Sequence, residues 1–197
     1  MRLHLATVLA LAPMATAAAA SDCLVPGKMP LRIHYTDGSV EQGFSVTDGV
    51  LRSNFLNADG GIDVNEMKFG FYRLSQISGT DVTRWDWGDQ TLIPVQELPV
   101  GEDKVFDPVT IDGNVEIRVT ITSKGGEEVT VGGCTYPVIH LTGRYDFPDG
   151  GGAIVSDQWI EPTSMLMLKS ENDRLDQTGA VTDHGGRMAD EITLRPA

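Results

Sequence analysis

Residues 127–173, EEVTVGGCTYPVIHLTGRYDFPDGGGAIVSDQWIEPTSMLMLKSEND, carry the clearest strand patterns of the chain. Within residues 135–147 apolar and polar side chains alternate, and a period of two with one apolar face is typical of a half-buried antiparallel strand. Residues 115–122 alternate in the same way. We therefore expect a mainly β protein with little helix.

Glycine-rich turns separate the predicted strands. Paired glycines in residues 124–127 predict one turn, because glycine adopts positive φ at little steric cost. Residues 148–152 predict another, and Asp37-Gly38 predicts a hairpin between residues 31–36 and 39–46. The remaining expectations are less regular: an edge strand and loop in the proline-punctuated residues 92–107, a polar stretch with at most one helical turn in 171–186, and a last strand in 190–195.

Two segments, residues 67–74 and 165–168, are apolar on both alternating faces. A strand of this kind needs apolar cover on both sides. The cover is a helix, a curled continuation of the sheet, or a bound apolar ligand.

The first twenty residues resemble a secretory signal peptide. Arg2 supplies the positive start, an apolar run follows, and Ala18-Ala19-Ala20 provides small residues for cleavage near Ala20. The apolar run is too short to span a bilayer, although a retained anchor is the alternative. We expect a periplasmic protein in which residues 21–197 form a single β-rich domain without a membrane span.

The two cysteines, Cys23 and Cys134, favour a disulfide, because the chain is addressed to an oxidising compartment. Two free thiols are the alternative. Cys23 occupies a position where a lipoprotein carries its acylated cysteine, but the preceding Asp22 is not the small residue that this processing requires. The formal net charge of −13 argues against nucleic acid and anionic lipid surfaces as partners.

No catalytic pattern is evident. His34, His140 and His184 belong to no nucleophile, metalloprotease or phosphate-loop motif, and a solvated side chain is the simplest interpretation of a histidine on a polar strand face. A hydrolase that uses scattered carboxylates requires two of them to converge in one cleft. We therefore expect a protein that is not an enzyme and needs no cofactor.

Residues 57–67 resemble the second half of an EF-hand loop, with Asp59, Asp63 and Glu66 as candidate Ca²⁺ ligands. The first position of that motif is Phe55 instead of aspartate, and the flanking segments predict strands. The competing interpretation is an Asp-Gly-Gly hairpin turn whose carboxylates face water.

Aromatic and methionine side chains are candidates for an apolar ligand-binding surface. Either they line a cavity or they fill an ordinary core. The candidate ligand-binding residues are Phe69, Phe71, Trp85, Trp87, Trp159, Met165 and Met167, and Tyr136 and Tyr145 belong to the same aromatic set.

The order of EEVTVGGCTYPVIHL, GRYDF, a glycine turn and DQWIEPTSMLMLKSE resembles bacterial periplasmic proteins of unknown function that are similar to the outer-membrane lipoprotein carriers (LolA-like). Trp159-Ile160-Glu161-Pro162 is the aromatic-x-x-Pro element of this resemblance. It implies one strongly curved antiparallel sheet, a half-barrel whose concave face is covered by a helix or loop.

Two functions follow as hypotheses. The first is a non-enzymatic binding or carrier-like protein that holds a lipid or another apolar or amphipathic small molecule. The alternative is a ligand-free accessory protein of the cell envelope, which contacts a protein partner through its acidic surface.

Overall fold

The structure is a computed structural model that describes residues 23–148 and 150–195. The strands are β1 (Arg32–Tyr35), β2 (Val40–Thr47), β3 (Val50–Leu56), β4 (Ile62–Lys68), β5 (Tyr72–Ser78), β6 (Asp81–Asp86), β7 (Asp103–Ile111), β8 (Val115–Val131), β9 (Cys134–Asp146), β10 (Ala153–Glu161), β11 (Leu166–Leu175) and β12 (Val181–Thr193). A 3-10 helix at Val95–Glu97 precedes β7. The predicted signal peptide, residues 1–20, lies outside the described residues.

Each strand pairs antiparallel with the next, and β12 returns to β1, so the sheet closes into a barrel of twelve strands. The prediction of a mainly β fold with little helix is confirmed. The predicted half-barrel is wrong, and the lipoprotein-carrier fold that the sequence resembles is not found. The physical reason is that β1 pairs on both sides, Ile33 lying opposite Ile192 of β12 and opposite Glu41 of β2, so that β1 has no free edge.

Residues 67–74 form the end of β4, a turn and the start of β5, and the prediction of one strand is therefore wrong. Phe69 and Gly70 have φ values of +53° and +74°, which break the extended conformation. The apolar side chains at this point need no cover on two sides, because the chain reverses between them.

The predicted turn at residues 124–127 is also wrong. Gly125 has a φ of +99°, but the barrel accommodates it as a register shift between Ser123 and Gly125, and β8 continues to Val131. The chain reverses at Gly132-Gly133, where both φ values are positive. The result is a long β8–β9 hairpin.

The predicted edge strand and loop in residues 92–107 agree with the structure: residues 103–106 of β7 pair with β8 alone, and β7 reaches β6 only through Thr110 and Ile111. Residues 171–186 contain no helical turn, because they form the end of β11, the start of β12 and the turn between them.

One end of the barrel is closed by turns that meet across it. Gly70, in the β4–β5 turn, lies against the backbone carbonyl of Met165 in the β10–β11 turn. The predicted disulfide between Cys23 and Cys134 is confirmed, and it attaches the N-terminal segment to the β8–β9 hairpin at the same end. Leu24 N–H donates a hydrogen bond of 3.1 Å to the Tyr136 hydroxyl beside it.

Apolar side chains form two core clusters. One contains Tyr35, Phe55, Val129 and Leu166, and the other contains Phe71, Tyr72, Trp87 and Phe106. In the second cluster the rings meet edge to face, with centroids 5.3 Å apart for Tyr72 and Trp87. Among the described residues, no helix combines the length and apolar character needed to cross a membrane.

Candidate functional site

A cavity lies inside the barrel. Its walls include Arg73 of β5 and Asn172 of β11, which are six strands apart in a barrel of twelve and therefore on opposite sides. It consists of two compartments of about 350 Å³ and about 290 Å³ that share five lining residues: Met67, Arg73, Ser156, Gln158 and Asn172. The larger compartment is within the range of small-molecule sites.

The larger compartment is mainly apolar, and we call it the aromatic compartment. Besides the shared residues, its lining is Phe71, Trp85, Trp87, Ile111, Ile117, Tyr145, Phe147 and Ile154. Trp85 and Trp87 face the same side because they are two residues apart on an extended segment. The indole N–H of Trp87 donates 2.9 Å to the backbone carbonyl of Arg73, so this polar group is satisfied at the cavity wall.

The smaller compartment is polar and cationic, and we call it the arginine compartment. Its lining includes Arg73, Ser170, Asn172 and Arg187, together with one acid, the exposed Asp37. The alternation of each strand places these side chains inward, since Ser156 and Gln158 of β10 lie opposite Asn172 and Ser170 of β11.

The guanidinium of Arg73 is held on the cavity wall by neutral groups. It lies 5.2 Å from the centroid of the Trp85 ring, and its Nη1 donates 3.0 Å to Gln76 Oε1. Burial lowers the pKa of Arg73, and the positive charge of Arg187 lowers it further, while Tyr145 and then the charge of Asp63 act in the opposite direction. An arginine remains charged at neutral pH even so.

The guanidinium of Arg187 stacks on aromatic rings, 4.0 Å from the Phe55 centroid and 4.8 Å from that of Tyr35. Its buried Nε–H has no hydrogen-bond partner among the described residues. The face of the guanidinium is thus occupied, whereas a donor edge remains available.

Three carboxylates lie near the arginines, and each accepts hydrogen bonds from neutral groups and forms no salt bridge with either guanidinium. Glu41 accepts hydrogen bonds from the hydroxyls of Tyr35 and Ser53. Asp37 accepts hydrogen bonds from the backbone and side chain of Ser39, in the β1–β2 turn. Burial raises the pKa of Asp63, but hydrogen bonds from Ser78, Asn57 and Gln76, and then the charge of Arg73, outweigh burial and hold that pKa below its ordinary value.

Buried hydroxyls in this region resist ionisation. Burial raises the pKa of Tyr145, although the charge of Arg73 opposes that shift. Burial also raises the pKa of Tyr35 well above its ordinary value, and Glu41 adds to the effect. Both hydroxyls therefore remain neutral hydrogen-bonding groups at physiological pH.

The structure brings together four of the seven residues predicted to bind a ligand. Phe71, Trp85 and Trp87 line the aromatic compartment, and Met167 lines the arginine compartment. Met165 and Met167 also line an adjoining space of about 40 Å³. Phe69 lies in the β4–β5 turn, with the Lys68 ammonium 4.7 Å from its ring centroid.

Trp159 lies on the opposite face of the sheet from the cavity. Its ring stacks on His140 at 4.1 Å, its Nε1–H donates 2.8 Å to Glu127, and the Lys169 ammonium lies 4.0 Å from its centroid. The hydrogen bonds from Trp159 and then His140 lower the pKa of Glu127. His140 Nε2 is also 2.9 Å from Asp157, so the predicted solvated histidine is in fact part of a side-chain network.

The predicted calcium ligands are not brought together. Asp59 accepts from the Gly61 N–H in its turn, and Glu66 is paired with Arg52 at 2.9 Å. Asp63 and Glu66 are three apart on a strand, so they point to opposite faces. Within residues 23–148 and 150–195, no group of three or more His, Cys, Asp or Glu side chains is placed to hold a metal ion.

Sequence reasoning missed the two arginines. Arg73 lies between Tyr72 and Leu74, and Arg187 follows two glycines, so neither has a motif around it. Charged side chains usually face solvent, and the sequence alone gives no reason to place these inside the barrel.

Comparison with known proteins gives little beyond this geometry. No protein-family model matches the chain, and no curated protein matches it. A solved structure of the hypothetical lipoprotein YmcC from Escherichia coli K12 is similar, with a TM-score of 0.49 and 13% sequence identity over 84% of this chain and 83% of that chain.

Proposed function

We propose that this protein binds an apolar or amphipathic small molecule inside its barrel and acts as a binding or carrier-like protein of the cell envelope. The observation that carries the proposal is the cavity of two joined compartments, one walled by aromatic rings and one by polar side chains. Small-molecule sites combine an apolar lining with a few placed polar groups in this way.

The disulfide supports an exported location, because such bonds persist in oxidising compartments such as the periplasm. In this proposal the barrel holds its ligand without transforming it. Contacts between the apolar part of the ligand and Phe71, Trp85 and Trp87 supply most of the affinity. Burial of apolar surface stabilises a complex by about 25 cal/mol per Å² before the entropic cost of binding.

Tryptophan fluorescence tests the proposal. The chain has three tryptophans, and Trp159→Phe leaves only the two that line the aromatic compartment. We expect ω-bromoundecanoate, ω-bromoundecanol or both to quench the fluorescence of this variant in a saturable titration, because bromine quenches only at short range.

Two phenylalanine substitutions in β10 serve as a matched pair in the Trp159→Phe background. Ser156→Phe fills the junction of the compartments and should abolish saturable quenching, whereas Val155→Phe points to the other face and should leave it unchanged. If neither amphiphile quenches the fluorescence of the Trp159→Phe protein in a saturable manner, the proposed function is contradicted.

A further inference from the structure

We propose that the ligand carries an anionic head group, a carboxylate or phosphate on an apolar chain, and that Arg73 and Arg187 bind this group. The inference rests on the proposed function and goes beyond it by assigning the chemical class of the ligand. The observation that carries it is a pair of interior arginines in one compartment, neither of which forms a salt bridge with a described carboxylate.

No carboxylate among the described residues lies within 4.0 Å of either guanidinium. The nearby acids Asp37, Glu41 and Asp63 accept hydrogen bonds from neutral groups instead. The charge of Asp63 acts on Arg73 only from a distance, and no carboxylate touches either guanidinium. Two cations that share one compartment in this way are costly, and an anion in contact with both offsets that cost.

The arginines are also oriented for an anion. Aromatic rings cover the face of each guanidinium, Trp85 for Arg73 and Phe55 for Arg187. Stacking of this kind fixes the plane and leaves the N–H edges as donors, and the planar fork of donors matches carboxylate and phosphate oxygens.

The position of Arg73 explains why an apolar chain should accompany the anion. Arg73 lines both compartments, so a head group held there lies at the entrance to the aromatic compartment. Neutral donors, among them the Ser170 hydroxyl and the Asn172 amide, surround the same space and suit the remaining head-group oxygens.

The test compares two probes that differ only in the head group, ω-bromoundecanoate and ω-bromoundecanol, titrated into the Trp159→Phe protein at neutral pH. We expect the carboxylate to bind at least about tenfold more tightly, in keeping with charge-assisted hydrogen bonds. Arg73→Gln and Arg187→Gln should each bring the ratio of carboxylate affinity to alcohol affinity close to one.

Arg144→Gln is the matched control, because Arg144 is an exposed arginine paired with Asp146 at 2.8 Å. It should bind both probes as the parent does. Arg73→Lys and Arg187→Lys retain the charge and should keep part of the preference for the carboxylate over the alcohol. Thermal unfolding of each variant verifies that it is folded.

The outcomes separate the two proposals. If both probes bind equally tightly, or if both glutamine variants still prefer the carboxylate over the alcohol, the ligand does not carry an anionic head group bound by these arginines. The proposed function is unaffected by that result. Failure of both probes to bind overturns the proposed function and this inference together. Inorganic phosphate that displaces ω-bromoundecanoate at an equal or lower concentration would identify the occupant as a free anion and overturn the amphiphile, because the apolar chain would then add no affinity.

Discussion

The Glu161 carboxylate, buried at the end of β10, accepts hydrogen bonds from the backbone N–H groups of Thr163 and Ser164 at 3.0 Å and 2.7 Å. Glu161→Ala removes both acceptors and leaves the buried Ser164 N–H without a partner. We expect a loss of about 2 to 4 kcal/mol in the free energy of unfolding, measured by urea denaturation. Glu102→Ala, at an exposed position, should change the free energy of unfolding by less than about 0.5 kcal/mol. Equal effects of the two substitutions would contradict a stabilising role of the Glu161 hydrogen bonds.

His184 is an exposed histidine whose Nδ1 lies 2.6 Å from Asp173. This hydrogen bond, and then the charge of Asp173, raise the pKa of His184 above its ordinary value. A raised folded-state pKa stabilises the fold below the unfolded pKa, and this contribution is lost as pH rises through the folded pKa. NMR titration should show a raised midpoint for His184 in the parent protein and a lower one in Asp173→Asn, and an unchanged midpoint would contradict the pairing.

Single residues also show the limits of sequence reasoning. The aromatic lining was partly predictable, because Trp85 and Trp87 share one face of an extended segment. Arg73 and Arg187 were not, because their inward orientation follows from register and closure and not from their neighbours in sequence. Trp159 lies on the face away from the cavity, which its position in a strand could not reveal, since alternation alone does not distinguish the inner from the outer face of a barrel.

At the level of elements, the contact of the β4–β5 turn with the β10–β11 turn depends on Gly70. Its φ is +74°, and a Cβ there would collide with the carbonyl of Met165. We expect Gly70→Ala to lower the free energy of unfolding by about 3 kcal/mol or more. Gly113→Ala has a similar φ of +71° and no neighbour within 4 Å, and it should cost about 1 kcal/mol.

Urea denaturation of both glycine variants measures this difference. Equal destabilisation would show that the two turns do not pack together. A selective loss in Gly70→Ala would support their contact across the barrel end.

The disulfide joins residues 111 positions apart, so it closes a long loop in the unfolded chain. We expect Cys23→Ser/Cys134→Ser to lower the free energy of unfolding by about 4 to 5 kcal/mol on the chain-entropy model. Urea denaturation with and without a reducing agent checks this, because reduction should destabilise the parent protein and leave the double variant unchanged. Insensitivity of the parent to reduction would contradict the expectation.

The first half of β8 was predictable from its period of two, since Ile117, Val119 and Ile121 are buried and alternate with more exposed residues. In β9 the buried positions change from Tyr136 and Val138 to Leu141 and Gly143, so the single apolar face predicted for residues 135–147 is wrong in its first part.

The first half of β12 was not predictable from the sequence pattern, because residues 181–186 are exposed and have no apolar face. Backbone pairing with β11 makes them a strand, and that information is absent from the local pattern. The turn predicted at residues 124–127 is wrong for a related reason. A glycine with positive φ, such as Gly125, occurs in a β-bulge as well as in a turn.

For the molecule as a whole, two strand pairings close the sheet into a full barrel instead of a half-barrel. Four residue pairs join β1 to β12, and two pairs join β6 to β7. The pairing of β1 with β12 connects strands that are far apart in the sequence. Alternation predicts which side chains share a face but does not predict that distant strands pair, so the cavity and its two arginines were beyond the sequence.

The central claim is that the barrel interior binds an anionic amphiphile. A crystal structure of the protein with ω-bromoundecanoate, with the bromine located by anomalous scattering, tests it most directly. The account predicts bromine between Trp85 and Trp87 in the aromatic compartment, and the carboxylate within hydrogen-bond distance of Arg73 and Arg187. Bromine found only on the outer surface, with the interior filled by rearranged side chains, would contradict it.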